Sequence, residues 1–449
     1  MQTFDVVVVG AGPGGEVAAG RLASAGLSVA IVEADKVGGE CSYYACIPSK
    51  SLLRPGELLA EARRVPGMRE AVTGPLDVAA VLARRDENIG HLDDAGQLPW
   101  LEERGVHLVR GWGRIAGERQ VAVGDEVLEA RTAVILAGGT VARIPDIEGL
   151  RDAKPWTNRE ATTAEEIPES LIVIGGGVVG AEMTQAYASL GSRVTLVEGE
   201  HRLLHREEEF ACVQVTEALR EQGVDIRTGQ WATSVRRDGD RITVTLADGS
   251  TATADQLLVA AGRVPQSRDL GLDADGYIEV DEHMRVPGKD WLYVVGDLNG
   301  RALYTHMAKY QAAIAAEHIQ GRDMVVEHLA DGPRSPHVIF TEPQVAGVGY
   351  TAAAAEAAGI TVRVVDIGTE ANAGGAFTGG GRGTCRFVLD DDRGVLVGAT
   401  FTGSEVADFL QAATIAVVGE VPLRRLRHAI PSFPTRSEIW LYLFNELGL

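Results

Sequence analysis

The sequence has few cysteines, four among 449 residues. So small a number excludes a fold that depends on a framework of disulfides. Long apolar runs are also missing, since none approaches the ~18 residues that a membrane span needs. The first residues, MQTFDVVVVGAG, carry no basic segment and lead directly into a predicted strand. We therefore expect no signal peptide and a cytoplasmic protein.

Positive charge is scarce as well. Lysine and arginine number 42 against 63 acidic residues, which gives a net charge of −21. Such a chain would repel nucleic acids and anionic membranes, so we expect neither as a partner. Glycine, by contrast, is abundant at 54 residues, which indicates tight turns or close approaches of the backbone to a ligand. The length suits about three domains.

Two segments of the chain repeat each other. They read VVVVGAGPGGEVAAGRLASAGLSVAIVEA, near the N-terminus, and LIVIGGGVVGAEMTQAYASLGSRVTLVEG, in mid-chain. Each copy predicts a buried strand, a glycine turn, a helix with small residues and a second strand that ends in glutamate. The matching residues are Gly10, Gly12, Gly15 and Glu33 in the first copy, and Gly175, Gly177, Gly180 and Glu198 in the second.

This pattern of strand, turn and helix is typical of dinucleotide binding. The glycines let backbone N–H groups and a helix N-terminus approach a pyrophosphate, and the glutamate can accept hydrogen bonds from the adenosine ribose. A single glycine turn would also suit an ordinary βαβ unit without a ligand. Because the complete pattern occurs twice, we predict that the chain binds two dinucleotides.

Five motifs occur in order along almost the whole chain: GAGPGG, GGECSYYACIPSK, GGGVVGAE, VVGD at Val294–Asp297 and FTEPQVAGVG at Phe340–Gly349. Together they resemble the motifs of one enzyme family, that of glutathione reductase and lipoamide dehydrogenase. These class I pyridine nucleotide-disulfide oxidoreductases bind FAD at the first glycine turn and NADH or NADPH at the second, and the resemblance implies the same here.

The resemblance also implies the architecture. We expect an α/β protein with two Rossmann-like dinucleotide-binding domains and an α+β C-terminal domain that forms a homodimer. A link that bears proline and charge, IPDIEGLRDAKPW, indicates the first boundary. The predicted bounds are 1–150 and 262–330 for the two parts of the FAD domain, 151–261 for the NAD(P)H domain, and 331–449 for the dimerisation domain.

By the same resemblance, several residues are candidate cofactor contacts. Asp297 would bind the ribityl chain of FAD, and it follows a predicted strand, where ligands of α/β sheets bind. Lys50 would lie beside the flavin ring and pair with Glu182. The full set for FAD is Gly10, Gly12, Gly15, Glu33, Gly39, Lys50, Gly138, Asp297 and Ala308; for NAD(P)H it is Gly175, Gly177, Gly180, Glu198 and Gly262.

Glu198 also bears on the choice of nicotinamide nucleotide. A carboxylate suits the free 2′-hydroxyl of NADH and repels the 2′-phosphate of NADPH. Arg202 follows four residues later and could reach a phosphate. We favour NADH and keep NADPH as the alternative.

Cys41 and Cys46 stand five residues apart, just before Pro48. Five steps along a regular helix rise by ~7.5 Å, which exceeds the Cα separation of about 7 Å that a disulfide tolerates. The two are therefore either unpaired core thiols or members of a bent loop that can open and close. Pro48 suits the first turn of a helix, which would place Cys46 at a helix N-terminus, where a thiolate is stabilised.

In the family that the motifs resemble, this loop carries the redox disulfide. Cys46 would then lie against the flavin, and Cys41 would exchange with substrate. Between them, Tyr43 and Tyr44 could pack over a substrate channel or offer a phenol as proton donor, and packing is the interpretation we favour. Cys212 and Cys385 stand alone and predict buried structural thiols.

The C-terminal stretch, HAIPSFPTRSEIW, departs from the family pattern. Disulfide reductases of the family carry His-Pro-Thr-x-x-Glu, in which the histidine protonates the departing thiolate across the dimer and the glutamate orients it. Pro434, Thr435 and Glu438 match, but the histidine's position holds Phe433. His428 could substitute only if its loop folds back.

Three functions follow as hypotheses. The first is an FAD-dependent NAD(P)H oxidoreductase that passes electrons through Cys41 and Cys46 to a non-standard acceptor, either a disulfide with a low-pKa thiol or another small molecule. The second is a flavin-based reductase of quinones or other small acceptors that does not use the cysteines. The third is the lipoamide dehydrogenase subunit of a multienzyme complex. We predict catalytic roles for Cys41, Cys46, Lys50, Glu182 and Glu438, and no metal.

Overall fold

A computed structural model describes residues 1–272, 274–370 and 372–449. The chain divides into two compact units, each built from three segments. The first unit contains Met1–Pro48, Arg85–Arg143 and Arg263–Pro333; the second contains Ser49–Arg84, Ile144–Gly262 and Arg334–Leu449.

The first unit is built on a seven-stranded sheet. Its first strand ends in four valines, Val6–Val9, which are buried because a parallel sheet is covered on both faces. Parallel neighbours pair with this strand on both sides. In order across the sheet the strands are His107–Arg110, Val29–Glu33, Gln2–Val9, Glu126–Leu136, Gln120–Val123 and Gly113–Gly117; Leu292–Val294 also pairs with Glu126–Leu136, and Thr140–Ala142 pairs with Arg263–Pro265 in a separate ribbon.

The second unit contains a parallel sheet, a three-stranded antiparallel sheet and a five-stranded antiparallel sheet. The parallel sheet has the order Asp225–Thr228, Arg193–Glu198, Ser170–Ile174, Gln256–Val259. The three-stranded sheet consists of Ala232–Asp238, Arg241–Leu246 and Thr251–Ala254. The five-stranded sheet has the order His337–Ile339, Gln344–Gly349, Val395–Gly403, Thr384–Asp390, Val362–Gly368.

Helices cover these sheets. In the second unit, small residues of Val178–Ser189 pack closely against the parallel sheet, and Phe387 and Phe401 of the five-stranded sheet are fully buried. The α-helices are Pro13–Ser24, Gly39–Tyr43, Cys46–Arg64, Met68–Ala71, Val78–Asn88, Leu98–Glu103, Asn158–Thr163, Val178–Ser189, Glu209–Glu221, Thr305–Ile319, Ala352–Ala357, Ala373–Phe377, Leu410–Val418, Leu423–Leu426 and Ile439–Glu446.

The repeat predicted from the sequence is confirmed. In both copies a buried strand leads through the glycine turn into a twelve-residue helix, and the next strand pairs in parallel with the first. The second strands end at Glu33 and Glu198, as expected. The predicted α/β class, with two dinucleotide-binding folds and a C-terminal α+β part, is therefore correct. Across the described residues, no helix is both long and apolar enough to cross a membrane.

Candidate active site

The first glycine turn is too tight for side chains at two positions. A Cβ added at Gly15 would lie 1.9 Å from Gly10 O, and one added at Gly10 would lie 2.5 Å from Ala137 O. At Gly12, in contrast, no described atom lies within 4 Å of an added Cβ. Gly12 precedes the helix Pro13–Ser24, which no described side chain caps. Open space in front of an uncapped helix N-terminus fits the pyrophosphate of a dinucleotide.

The second glycine turn repeats this geometry. A Cβ at Gly180 would lie 1.8 Å from Gly175 O, whereas a Cβ at Gly177 would meet no described atom within 4 Å. The helix Val178–Ser189 that follows also lacks a side-chain cap among the described residues. The same fit to a pyrophosphate therefore holds here.

Both glutamates at the strand ends are held by backbone N–H groups. Glu33 accepts from Ala11 N and Asp35 N, each at 2.7 Å. Burial raises the pKa of Glu33, and the two backbone bonds oppose that shift. Glu198 accepts from Gly176 N and, at 2.7 Å, from Glu200 N. Each carboxylate is thus fixed beside its glycine turn, where a ribose would bind.

A half-buried polar cluster surrounds Asp297 in the first unit. Thr140 donates its hydroxyl to Asp297 Oδ2 at 2.7 Å, and Arg263 Nε lies 3.8 Å from the same oxygen. Arg263 also donates to the Thr140 hydroxyl at 2.6 Å and pairs with Glu40, the residue before Cys41. Burial raises the pKa of Asp297. Sequence reasoning missed Thr140 and Arg263, although Arg263 directly follows the predicted contact Gly262.

The other predicted FAD contacts of the first unit lie around the first glycine turn. A Cβ added at Gly39 would lie 2.8 Å from Gly12 Cα, and Ala308 packs 3.5 Å from one added at Gly14. Gly138 O accepts from Gln266 Nε2 at 2.9 Å. In the second unit, Gly262 follows the sheet strand Gln256–Val259. The cofactor roles of these residues remain predictions.

The cysteine loop is bent. The helix Gly39–Tyr43 carries Cys41 and ends at Tyr44, whose φ of −134° is not helical, and a new helix begins at Cys46. The sequence left unpaired core thiols or a bent loop as alternatives, and the backbone between the two cysteines is bent. The predicted position of Cys46 at a helix N-terminus is confirmed. Tyr43 is buried, and the packing of the two tyrosines over a substrate channel stays a prediction.

The two thiols contact each other. The neighbouring Cys46 thiol, which shares a hydrogen bond with that of Cys41, raises the pKa of Cys41, and burial adds to the shift. Cys46 Sγ also lies 3.2 Å from the hydroxyl of Thr305, the first residue of the helix Thr305–Ile319. Thr305 is a third residue that sequence reasoning missed, because it lies far from the cysteines along the chain. The arrangement suits a dithiol that can close into a disulfide.

Lys50 and Glu182 form the ion pair that the resemblance implies. Lys50 Nζ lies 2.8 Å from Glu182 Oε2, and the Glu182 side chain is only 4% exposed. Glu182 also accepts from Phe340 N at 2.9 Å, and the lysine ammonium lies 4.6 Å from the centre of the Phe340 ring. Both partners are thereby held in one orientation.

In the C-terminal segment, the carboxylate of Glu438 lacks the histidine that the family carries at position 433. Glu438 is buried, and its Oε2 has no hydrogen-bond partner among the described residues. Phe433, at the position of the family's histidine, is 76% exposed. His428 is exposed and lies just after the short helix Leu423–Leu426.

Comparison with known families decides the identity. The model of the pyridine nucleotide-disulphide oxidoreductase family matches residues 4–316, and the dimerisation domain of the same family matches residues 335–443. The chain belongs to the pyridine nucleotide-disulphide oxidoreductases. It is therefore an FAD-dependent oxidoreductase of the disulfide type that uses NADH or NADPH, as predicted.

Curated relatives of this oxidoreductase carry the name dihydrolipoyl dehydrogenase. The protein from Haloferax volcanii is 32% identical over 455 residues, which cover 97% of this chain and 94% of the relative. The protein from Thermus scotoductus is also 32% identical, over 98% of this chain and 96% of the relative. The similarity thus extends over almost the full length of both proteins.

Solved structures agree with the fold. LpdA from Mycobacterium tuberculosis superposes with a TM-score of 0.87 at 25% identity, covering 98% of each chain. The HOCl-induced flavoprotein disulfide reductase RclA from Escherichia coli gives the same TM-score at 22% identity, over 98% of this chain and 99% of its own. The second similarity concerns the fold alone.

The first glycine turn of this oxidoreductase offers a matched pair of substitutions, at Gly15 and Gly12. Gly15→Ala is expected to abolish FAD retention, because its Cβ would collide with Gly10 O and force the turn open. Gly12→Ala should fold normally and only weaken FAD binding, since its methyl group meets open space. The flavin-to-protein absorbance ratio after purification, together with thermal unfolding, measures both effects. Equal FAD content in the two variants would contradict the assignment of this turn.

Proposed function

We propose that this oxidoreductase oxidises NADH and delivers two electrons to a disulfide between Cys41 and Cys46. The resulting dithiol then reduces an acceptor that needs no proton from a histidine, namely a disulfide whose thiol has a low pKa or another small molecule. A leaving thiol of low pKa departs as the anion and so needs little protonation.

The cysteine loop supports the dithiol step. Reduction of the disulfide takes up two electrons and two protons and gives two thiols, and the bent backbone lets both sulfurs stay in contact. Thr305 supplies a hydroxyl beside Cys46 that can donate to a thiolate there. The helix that begins at Cys46 offers its positive end to the same sulfur.

The observation that carries the choice of acceptor is the C-terminal segment. Phe433 cannot move a proton, although Glu438 remains as a buried carboxylate whose Oε2 has no hydrogen-bond partner in the described part of the chain. General acid–base catalysis contributes about 10²- to 10⁴-fold, so an acceptor whose sulfur must be protonated would be reduced slowly. An acceptor disulfide whose leaving thiol departs as a stable anion avoids this limit.

The cofactors would be held by the residues described above. Gly12, Glu33 and Asp297 would hold FAD, and Gly177 and Glu198 the nicotinamide nucleotide. When bound, FAD supplies two-electron transfer between a nicotinamide and a disulfide. We favour NADH because the fixed Glu198 carboxylate suits a 2′-hydroxyl and repels a 2′-phosphate. The matched dimerisation domain supports a homodimer.

A second candidate is dihydrolipoamide oxidation. It is favoured by the names of relatives that are 32% identical over nearly the whole chain. It is opposed by Phe433, since oxidation of dihydrolipoamide removes protons from its two thiols, and a phenylalanine at the position of the family's histidine cannot accept them. Steady-state rates with dihydrolipoamide and NAD⁺ separate the two candidates.

The proposal is tested by counting thiols. In the Cys212→Ser, Cys385→Ser background, air-oxidised enzyme should show no alkylated cysteine, and anaerobic addition of one equivalent of NADH should expose two. NADPH should expose the same two thiols at a rate at least about tenfold lower than NADH, a difference of about 1.4 kcal/mol. The sites are identified by alkylation and peptide mass spectrometry. Flavin bleaching without new thiols would instead support the quinone-type hypothesis.

A further inference from the structure

An exposed tryptophan lies next to the carboxylate that would hold the nicotinamide nucleotide. Trp231 is 62% exposed, so most of its indole is open to a ligand. Its indole lies directly on Gly199, because a Cβ added there would fall 2.4 Å from the ring atoms Cε2 and Cζ2. Gly199 is the residue that follows Glu198 at the end of the strand Arg193–Glu198. One face of the ring therefore rests on the backbone beside the carboxylate.

The backbone holds Trp231 in this place. Gln230 N donates to Glu198 O at 3.0 Å, and Gly229 N donates to Glu200 O at 2.8 Å. On the other side, Trp231 O accepts from Ala247 N at 2.9 Å. The segment that carries the indole is thus tied to the same turn as Glu198. The indole is pre-positioned and does not depend on a mobile loop.

We propose that Trp231 is the stacking platform for the adenine of the nicotinamide nucleotide. The inference deepens the proposed function and rests on nucleotide binding at the second glycine turn. The adenine is bonded to the ribose that Glu198 would hold, so it must lie within about one sugar ring of that carboxylate. An exposed aromatic face is the partner that a purine prefers there.

The same geometry explains why residue 199 is glycine. Any side chain at Gly199 would occupy the place of the indole and push it away from the Glu198 turn. A small residue at 199 and a large aromatic residue at 231 together make one flat surface. Trp231 is therefore a positioning residue for the adenosine half of the nucleotide and does not contact the reacting nicotinamide.

Binding of ADP-ribose to the FAD-loaded enzyme, measured by calorimetry, tests the proposal without any redox step. Trp231→Ala should weaken binding roughly 5- to 100-fold, the range measured for removal of one aromatic stacking partner of a base. Trp231→Phe should keep most of the affinity. The matched control Val213→Ala, which removes another exposed apolar side chain of the same unit, should have no effect.

Gly199→Ala provides a second, independent variant, because it displaces the indole without deleting it. It should also weaken ADP-ribose binding. The double variant with Trp231→Ala should lose no more affinity for ADP-ribose than Trp231→Ala alone. In turnover, Trp231→Ala should raise KM for NADH and leave kcat unchanged, while the rate with reduced nicotinamide mononucleotide, which lacks adenine, should not change.

Wild-type affinity of Trp231→Ala for ADP-ribose would overturn the stacking proposal, and so would additive losses in the double variant. Failure of the proposed function has a different signature, since NADH would then expose no thiols in the wild-type enzyme even though ADP-ribose still binds.

Discussion

Replacing Phe433 with histidine is expected to raise the rate of dihydrolipoamide oxidation by NAD⁺ on the order of 10²-fold, the lower end of what general acid–base catalysis contributes. The expectation depends on Glu438, since the matching carboxylate orients the histidine in the family that the motifs resemble. Glu438 is buried, and its Oε2 has no hydrogen-bond partner among the described residues. Because Phe433 is 76% exposed, the change should cost little stability. Steady-state kcat with dihydrolipoamide measures the gain.

Two further variants make the result specific. Phe433→Leu should give no gain, because it changes the side chain without adding a titratable group. Phe433→His combined with Glu438→Gln should lose most of the gain if the carboxylate orients the imidazole. The number of thiols exposed by NADH should stay at two in every variant. A wild-type enzyme that already oxidises dihydrolipoamide rapidly would show that the substitution at 433 does not limit this reaction.

Much of the fold was predictable because it rests on local patterns. Both glycine turns and the strands that end at Glu33 and Glu198 are encoded within 29 residues each, by apolar strands, glycines and a helix of small residues. Pro48 predicted the helix that begins at Cys46, whereas disulfide geometry alone left a bent loop and unpaired core thiols as alternatives for Cys41 and Cys46. In each case the neighbouring residues alone determine the backbone.

Other parts of the site escaped prediction because the contacts join distant segments. Thr140 and Arg263 meet at Asp297 through a short antiparallel ribbon, Thr140–Ala142 with Arg263–Pro265, that has no periodicity of its own. Thr305 reaches Cys46 from the start of a helix that lies 259 residues later in the chain. A threonine hydroxyl carries no spacing signal, so only the folded chain reveals such partners.

Trp231 was overlooked for a related reason. An isolated tryptophan between two short strands predicts nothing about ligand binding, and exposed apolar residues are common on protein surfaces. Its significance comes from its contact with Gly199, which the sequence does not connect to it. The glycine motif therefore predicts the turn and Glu198 of the second dinucleotide site, but not the proposed stacking residue Trp231.

Replacing both Cys41 and Cys46 with serine is expected to abolish reduction of disulfide acceptors, by at least about 10³-fold, because a serine hydroxyl neither forms a disulfide nor acts as a comparable nucleophile. FAD content should stay unchanged, because neither cysteine belongs to the glycine turn or to the cluster at Asp297. Rates with a low-pKa aromatic disulfide and with a quinone, compared side by side, measure the effect.

The paired assay distinguishes the hypotheses. If electrons pass through the cysteines to every acceptor, both rates fall together. If the quinone rate survives while the disulfide rate is lost, the quinone accepts electrons without the dithiol, and the flavin-based alternative holds for that acceptor. Single variants refine the assignment of roles. Cys41→Ser should leave Cys46 without the thiol that exchanges with substrate, and Cys46→Ser should leave Cys41 unable to close the disulfide. Because each sulfur needs the other, each single change should lower the rate of disulfide reduction nearly as much as the double change does, and clearly additive losses of that rate would contradict a shared redox pair.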